Sequence, residues 1–119
     1  MDRVEKRKTT TILIVDDSEL NRMMLAAMLG ENYEILEASD GIEALSVIQK
    51  YETSIDLVLL DIVMPGMDGF ETIAAIKADK NMAEIPVIFL TADDDRDTEP
   101  KGFSAGAMDF IKKPFSPEV

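Results

Sequence analysis

The run Leu57-Val-Leu-Leu60 leads straight into a single carboxylate, Asp61, and the turn residues Pro65-Gly66 follow soon after. An apolar run without alternation, bounded by turn signals, reads as a strand buried on both faces. Such a strand needs helices above and below it. Thr11–Val15 repeats the pattern and ends in Asp16-Asp17, Pro86–Leu90 ends at Thr91, and a short run over Ala107–Ile111 is followed by Lys112-Lys113. Tyr33–Ala38 carries Glu34 and Glu37 and suits a sheet edge.

Helical patterns separate these runs. Ser18 is a natural N-cap, Glu19 suits a first turn and Gly30 a stop; Leu20, Met23, Met24, Ala27 and Met28 recur between them and read as a core-facing stripe. Asp40-Gly-Ile-Glu43 opens a second helix with Ala44, Leu45, Ile48 and Tyr51 on one face. Asp68-Gly-Phe-Glu71 opens a third, with Phe70, Ile73, Ala74 and Ile76, ending near Ala78. A short fourth, from about Thr98 to Ala105, must accept Pro100 early and Gly102 in its middle. Glycine there costs about 1 kcal/mol relative to alanine, so this helix is expected to be the least stable. Before it, Asp93, Asp94, Asp95, Asp97 and Glu99 crowd around Arg96. Strands alternating with helices imply α/β architecture, a parallel sheet built from right-handed βαβ units.

Composition narrows the chemistry. The 119 residues contain neither Cys nor His, which removes thiolate sites, the commonest general base and the commonest metal ligand. Carboxylate, hydroxyl and lysine remain, a set suited to a hard, oxygen-liking cation. The net charge of −12 argues against direct nucleic-acid binding. No apolar stretch is long enough to span a bilayer and no signal-peptide pattern is present, so the expectation is a cytoplasmic protein that makes no membrane contact. Residues 1–9 read as a polar tail and 10–119 as one domain.

In a parallel sheet the loops after the strands share one edge. Asp16 and Asp17, Asp61, Thr91 and Lys113 converge there if the strand order is 2-1-3-4-5. Clustered carboxylates repel one another unless a cation intervenes. A divalent metal such as Mg²⁺ would settle that conflict and also shield an anionic nucleophile from an anionic phosphoryl donor. Asp61 is then the candidate nucleophile, Lys113 a charge for the transferred oxygens and Thr91 a hydroxyl donor, with an aspartyl phosphate as product. Each residue alone has an ordinary reading as cap or surface group, and Asp68 is most simply an N-cap.

Ile-Leu-Ile-Val-Asp-Asp at 12–17, Asp-Gly-Ile-Glu-Ala-Leu at 40–45, Leu-Leu-Asp-Ile-Val-Met-Pro-Gly-Met-Asp-Gly at 59–69, Pro-Val-Ile-Phe-Leu-Thr-Ala at 86–92 and Lys-Pro-Phe at 113–115 together resemble the receiver domain of bacterial response regulators, the phosphoacceptor modules of two-component signalling. The resemblance implies a flavodoxin-like doubly wound fold and Asp61 as phosphoacceptor. It further implies a Mg²⁺ (or Mn²⁺) site made by Asp16, Asp17, Asp61 and the Val63 backbone carbonyl, with Thr91 and Lys113 as the phosphate-sensing pair. Phe110 falls at the family's aromatic switch position, where a phenylalanine can act only through packing; a plain core residue is the equal alternative. The family often has a cis peptide at the position of Lys113–Pro114.

The same resemblance implies a histidine kinase or phosphotransfer protein as donor, an output domain or downstream protein as reader, and a homodimer among the assemblies open to it. The domain would catalyse its own phosphorylation and hydrolysis. The family fold ends in a fifth helix, of which Ser116-Pro117-Glu118 reads only as the start, so one sheet face is expected to keep exposed apolar side chains and the chain to be a piece of a longer protein, or to have a partner there. A receiver-like interaction module that is never phosphorylated is the main alternative, opposed by the intact acidic and basic set. An aspartyl phosphatase would want Asp-x-Asp after the first strand and a cap. A flavodoxin-type cofactor carrier would want a Ser/Thr/Gly-rich phosphate loop where Asp16-Asp17-Ser18-Glu19 stands.

Overall fold

The computed structural model describes residues 9–51, 54–92 and 98–113. The elements alternate as β1 (Thr11–Val15), α1 (Glu19–Leu29), β2 (Glu34–Ala38), α2 (Gly41–Tyr51), β3 (Leu57–Asp61), α3 (Gly69–Ala78), β4 (Val87–Thr91), α4 (Thr98–Ala105) and β5 (Asp109–Lys112). All five strands are parallel, in the order β2-β1-β3-β4-β5. This is the flavodoxin-like arrangement that the family resemblance implies, and its order is the one that lets the strand-end residues converge. The tail, the acidic stretch 93–97, the Lys113–Pro114 peptide and the Ser116 cap signal lie outside the described residues.

The two-residue period of the strands sorts their side chains onto two faces. Leu13, Val15, Val58, Leu60, Val87 and Phe89 belong to one core, closed by Ala44 and Ile48 of α2 and Ile73 and Ile76 of α3. Ile12, Ile14, Leu59 and Leu90 form the other, where the buried helical partner is Leu25 of α1. No fifth helix follows β5 among the described residues. The second face keeps an apolar groove of about 520 Å³ along Ile12, Leu29, Leu57, Leu59, Ile88 and Ile111.

Capping explains where helices begin. Ser18 Oγ accepts from Asn21 N at α1, and Asp68 with Glu71 forms a complete capping box at α3. At α2, Asp40 accepts from Glu43 N, while the Glu43 carboxylate reaches back to the Ser39 amide and hydroxyl. Those Ser39 bonds, the backbone one foremost, hold the Glu43 carboxyl below its ordinary range. β5 starts two residues later than its apolar run. The run is entered through Gly106 at φ 113°, and the pairing with β4 begins only at Asp109, opposite Ile88.

The methionine stripe of α1 is the main correction. Leu20 and Met23 are 64% and 58% exposed, and Met24 and Ala27 also face outward. Leu25, Met28 and Leu29 cover the sheet instead. α1 is apolar around most of its circumference, so periodicity alone does not say which stripe turns inward. The bond from Arg22 to the Asp16 carbonyl is consistent with 22, 25 and 29 lying on the sheet side. Tyr51 and Ala74, expected on core faces, are exposed at the ends of their stripes.

Gly102 also reads differently in three dimensions. A Cβ on it would overlap the Phe110 ring and stand 3.1 Å from Phe89 Cδ2, so α4 approaches the sheet only because that position is bare. Alanine should therefore destabilise despite its helix preference of about 1 kcal/mol. Overpacking costs of about 1–3 kcal/mol outweigh that gain. We expect Gly102→Ala to unfold at lower urea than wild type; an unchanged or higher midpoint would show that the ring yields freely.

Candidate functional site

The strand ends place the polar residues together. Val15 lies opposite Leu60, Asp61 opposite Leu90, and Thr91 opposite Lys112, so the chain leaves the sheet on one edge at Asp16, Asp61, Thr91 and Lys113. A cavity of about 370 Å³ opens there, lined by Asp16, Asp17, Asp61, Val63, Thr91 and Lys113 among others. Every residue expected at the site except Phe110 borders it. Phe110 lies away from it, half-buried, with its ring 5.7 Å from Phe89 and 5.1 Å from Phe103. Asp68 is engaged in its capping box, in keeping with a structural role.

Asp16 is wholly buried and Asp61 is 3% exposed, whereas Asp17 is open to solvent. Carboxylate oxygens of the three lie within 4.8 Å of one another. The Lys113 ammonium stands between two of them, 3.1 Å from Asp61 Oδ1 and 3.2 Å from Asp16 Oδ2. A main-chain bond from Lys113 N to Thr91 O, 2.8 Å long, ties the lysine to the end of β4. Three oxygen donors at this spacing, two of them anionic and buried, fit a hard divalent cation better than any other group in the described structure.

Several supporting residues were not legible in the sequence. Asp16 is held by Ser18 N at 2.9 Å, by Asn21 Nδ2 at 3.3 Å and, at its main-chain carbonyl, by Arg22 Nη1 at 2.7 Å. Gly69 N donates to Ile62 O, and a Cβ at 69 would lie 2.6 Å from Ile62 Cα. The start of α3 thus seats directly on the backbone after Asp61. The signals were there, an Asn-Arg pair in a first turn and a glycine behind a cap, but both have commoner readings.

Burial raises the Asp61 carboxyl from 3.8 to about 6; the Lys113 hydrogen bond opposes this and the Asp16 charge adds to it. Burial alone would lower the Lys113 ammonium, but the bonds and charges of Asp61 and Asp16 outweigh it and hold it above its ordinary value. Because the folded Asp61 binds its proton more tightly than the unfolded one, its contribution to stability is fully present below pH 3.8 and is lost as pH rises through about 6. Asp61→Asn removes that charge. It should raise the melting temperature at pH 7.5, by no more than about 3 kcal/mol in stability. The gain should shrink toward pH 4; a gain independent of pH would contradict the assignment.

Known proteins place these features. A family model described as the response regulator receiver domain matches residues 12–119. A probable cyclic di-GMP phosphodiesterase of Vibrio cholerae is 45% identical over 113 residues, covering 95% of this chain and 25% of that protein. The response regulator PleD of Caulobacter vibrioides is 42% identical over 104 residues, covering 87% and 22%. The chain thus spans about a quarter of the length of these relatives. The solved structure of the chemotaxis protein CheY4 of Vibrio cholerae superposes with a TM-score of 0.85 at 34% identity, covering 92% of this chain and 91% of that one. With the sheet order, the acidic cluster and the strand-end lysine already in place, the chain belongs to the family of response regulator receiver domains.

Proposed function

We propose that this domain is a phosphoacceptor switch that takes a phosphoryl group on Asp61 in the cytoplasm. The observation that carries this reading is the Lys113 ammonium bridging Asp61 and Asp16 at the floor of an open cavity. A buried carboxylate, an ammonium beside it and a buried hydroxyl at Thr91 are groups an in-line phosphoryl transfer can use.

With no His of its own, the chain would draw on a phosphohistidine of a histidine kinase or a phosphotransfer protein. The P–N bond breaks, its electron pair stays on the imidazole, and an Asp61 Oδ–P bond forms. At pH 7 Asp61 is mostly ionised even with its carboxyl raised to about 6. Lys113 would leave the carboxylates for the oxygens of the transferred group, and the Thr91 hydroxyl would hydrogen-bond another. Asp16, Asp17, Asp61 and the Val63 carbonyl would hold Mg²⁺ or Mn²⁺. That ion, when bound, supplies the charge neutralisation that lets two anions approach. Attack by water on the phosphoryl group would later return the carboxylate and release phosphate, so the domain would time its own signal.

The readout we assign to Thr91, Phe110 and α4. Phe110 would respond through ring packing alone, and a segment outside this sequence, a second copy or a separate protein would read the change. The relatives, several times longer than this chain, support a further output segment.

Incubation with acetyl phosphate and Mg²⁺ should add one phosphoryl group by intact mass to wild type and none to Asp61→Asn; equal gain in both overturns the assignment. Asp17→Ala should weaken Mg²⁺ binding by at least about tenfold, since losing even a supporting residue costs that much. Unchanged affinity would take Asp17 out of the metal site. Hydrogen exchange over Thr98–Ala105 should slow on phosphorylation, and an unaltered rate there would exclude α4 as the reader.

A further inference from the structure

Arg22 is a charged residue on the sheet-facing stripe of α1, in line with Leu25 and Leu29. Its side chain is 15% exposed, a place where a guanidinium is costly unless its donors are met. Nη1 donates to the Asp16 carbonyl at 2.7 Å and Nε to Glu37 Oε1 at 3.0 Å. Glu37 lies on β2, next to the last paired residue of that strand, Ala38. One side chain therefore links α1, the end of β1 and the end of β2.

What it grips matters. Register with β2 ends at Val15, although Asp16 N still bonds to Ala38 O at 3.2 Å. The Asp16 carbonyl belongs to the peptide that joins Asp16 to Asp17. Directing that carbonyl toward α1 sets the plane of the peptide, and with it the directions in which the two side chains leave. Asp16 has further restraints on its carboxylate from Ser18 N, Asn21 Nδ2 and Lys113 Nζ. Asp17 is exposed, and no hydrogen bond among the described residues holds its carboxylate. Its direction depends on the backbone.

We propose that Arg22, anchored on Glu37, is a positioning residue that fixes the Asp16–Asp17 peptide and so aims the Asp17 carboxylate at the cation site. The inference rests on the phosphoacceptor reading for its purpose, but concerns cation binding alone. It assigns Arg22 no contact with the reacting atoms. Removing it should weaken the cation site and leave phosphorylation at saturating cation almost intact. A fault in the nucleophile would do the reverse.

The test is Mn²⁺ titration of the whole chain, followed by the EPR signal of the free ion, without any phosphoryl donor. Arg22→Ala should bind Mn²⁺ about tenfold more weakly, the usual cost of losing a residue that orients a ligand. Arg22→Lys, which can still donate to the carbonyl, should recover part of the loss. Glu37→Ala, on a side chain 42% exposed, should fold normally and show a smaller loss of the same kind. It keeps the question answerable if Arg22→Ala does not fold. Leu25→Ala serves as control, because it loosens α1 without touching the acidic pair.

Equal affinity in wild type, Arg22→Ala and Glu37→Ala overturns the proposal. So does a loss in Leu25→Ala as large as that in Arg22→Ala, or acetyl phosphate labelling by Arg22→Ala that stays slow at saturating Mn²⁺. Wild type that binds Mn²⁺ but gains no phosphoryl group defeats the phosphoacceptor reading and leaves the positioning role intact. Wild type that binds no Mn²⁺ overturns both.

Discussion

Two buried carboxylates on neighbouring strands are held against their mutual repulsion by one ammonium group, and the form of the site follows from that. Asp16 and Asp61 sit at the ends of β1 and β3 because the apolar runs before them are buried on both faces. Burial makes the Asp61 carboxyl resist ionisation, and the neighbouring Asp16 charge adds to that. Lys113, arriving from the far side of β4, bridges the pair at 3.1 and 3.2 Å and offsets part of their charge. The fold brings a lysine 52 residues distant in sequence to that point because the strand order sets β4 and β5 beside β3. Any phosphoryl group or divalent cation entering the cavity competes with an existing ion pair.

The sequence revealed the parts of this arrangement that depend on long-range order of a simple kind. Runs of apolar residues ending in polar ones specify strands and their loaded edge, and capping residues specify helix starts, while the sheet order followed from the family resemblance and from the need for the strand-end residues to converge. Rotation of a helix about its own axis was harder. α1 has apolar side chains on both its inner and outer sides; Leu20 and Met23 face outward, while Arg22 is tied inward to Asp16. That tie is a single side-chain contact with no periodic trace. Gly69 and Gly102 were obscured for a related reason. A glycine required by the approach of another element looks, in one dimension, like a glycine that merely weakens a helix.

The uncovered sheet face shows the same limit from the other side. Its groove along Ile12, Leu59 and Ile111 was expected, because a parallel sheet needs both faces covered and the helices on one side are too few. The outward stripe of α1 was not, and it adds Leu20 and Met23 to the apolar surface beside the site.

Coupling between the site and α4 has a short physical route in this fold. Thr91 and Lys113, the two groups proposed to meet a phosphoryl group, lie at the ends of the adjacent strands β4 and β5 and share a main-chain hydrogen bond. Phe89 and Phe110 face one another on the same two strands, directly paired in register. Phe110 in turn fills the space that Gly102 leaves bare beneath α4, and Phe103 closes on it edge-on. A shift of Lys113 toward a phosphoryl group would pull on the strand that carries Phe110. The ring has little room to follow without moving α4, since packed interiors shift between discrete arrangements and do not deform continuously. A phenylalanine makes this route purely steric. A hydroxylated ring could be held in or out by a hydrogen bond, whereas here the position of α4 would be decided by whether the Gly102 seat is filled.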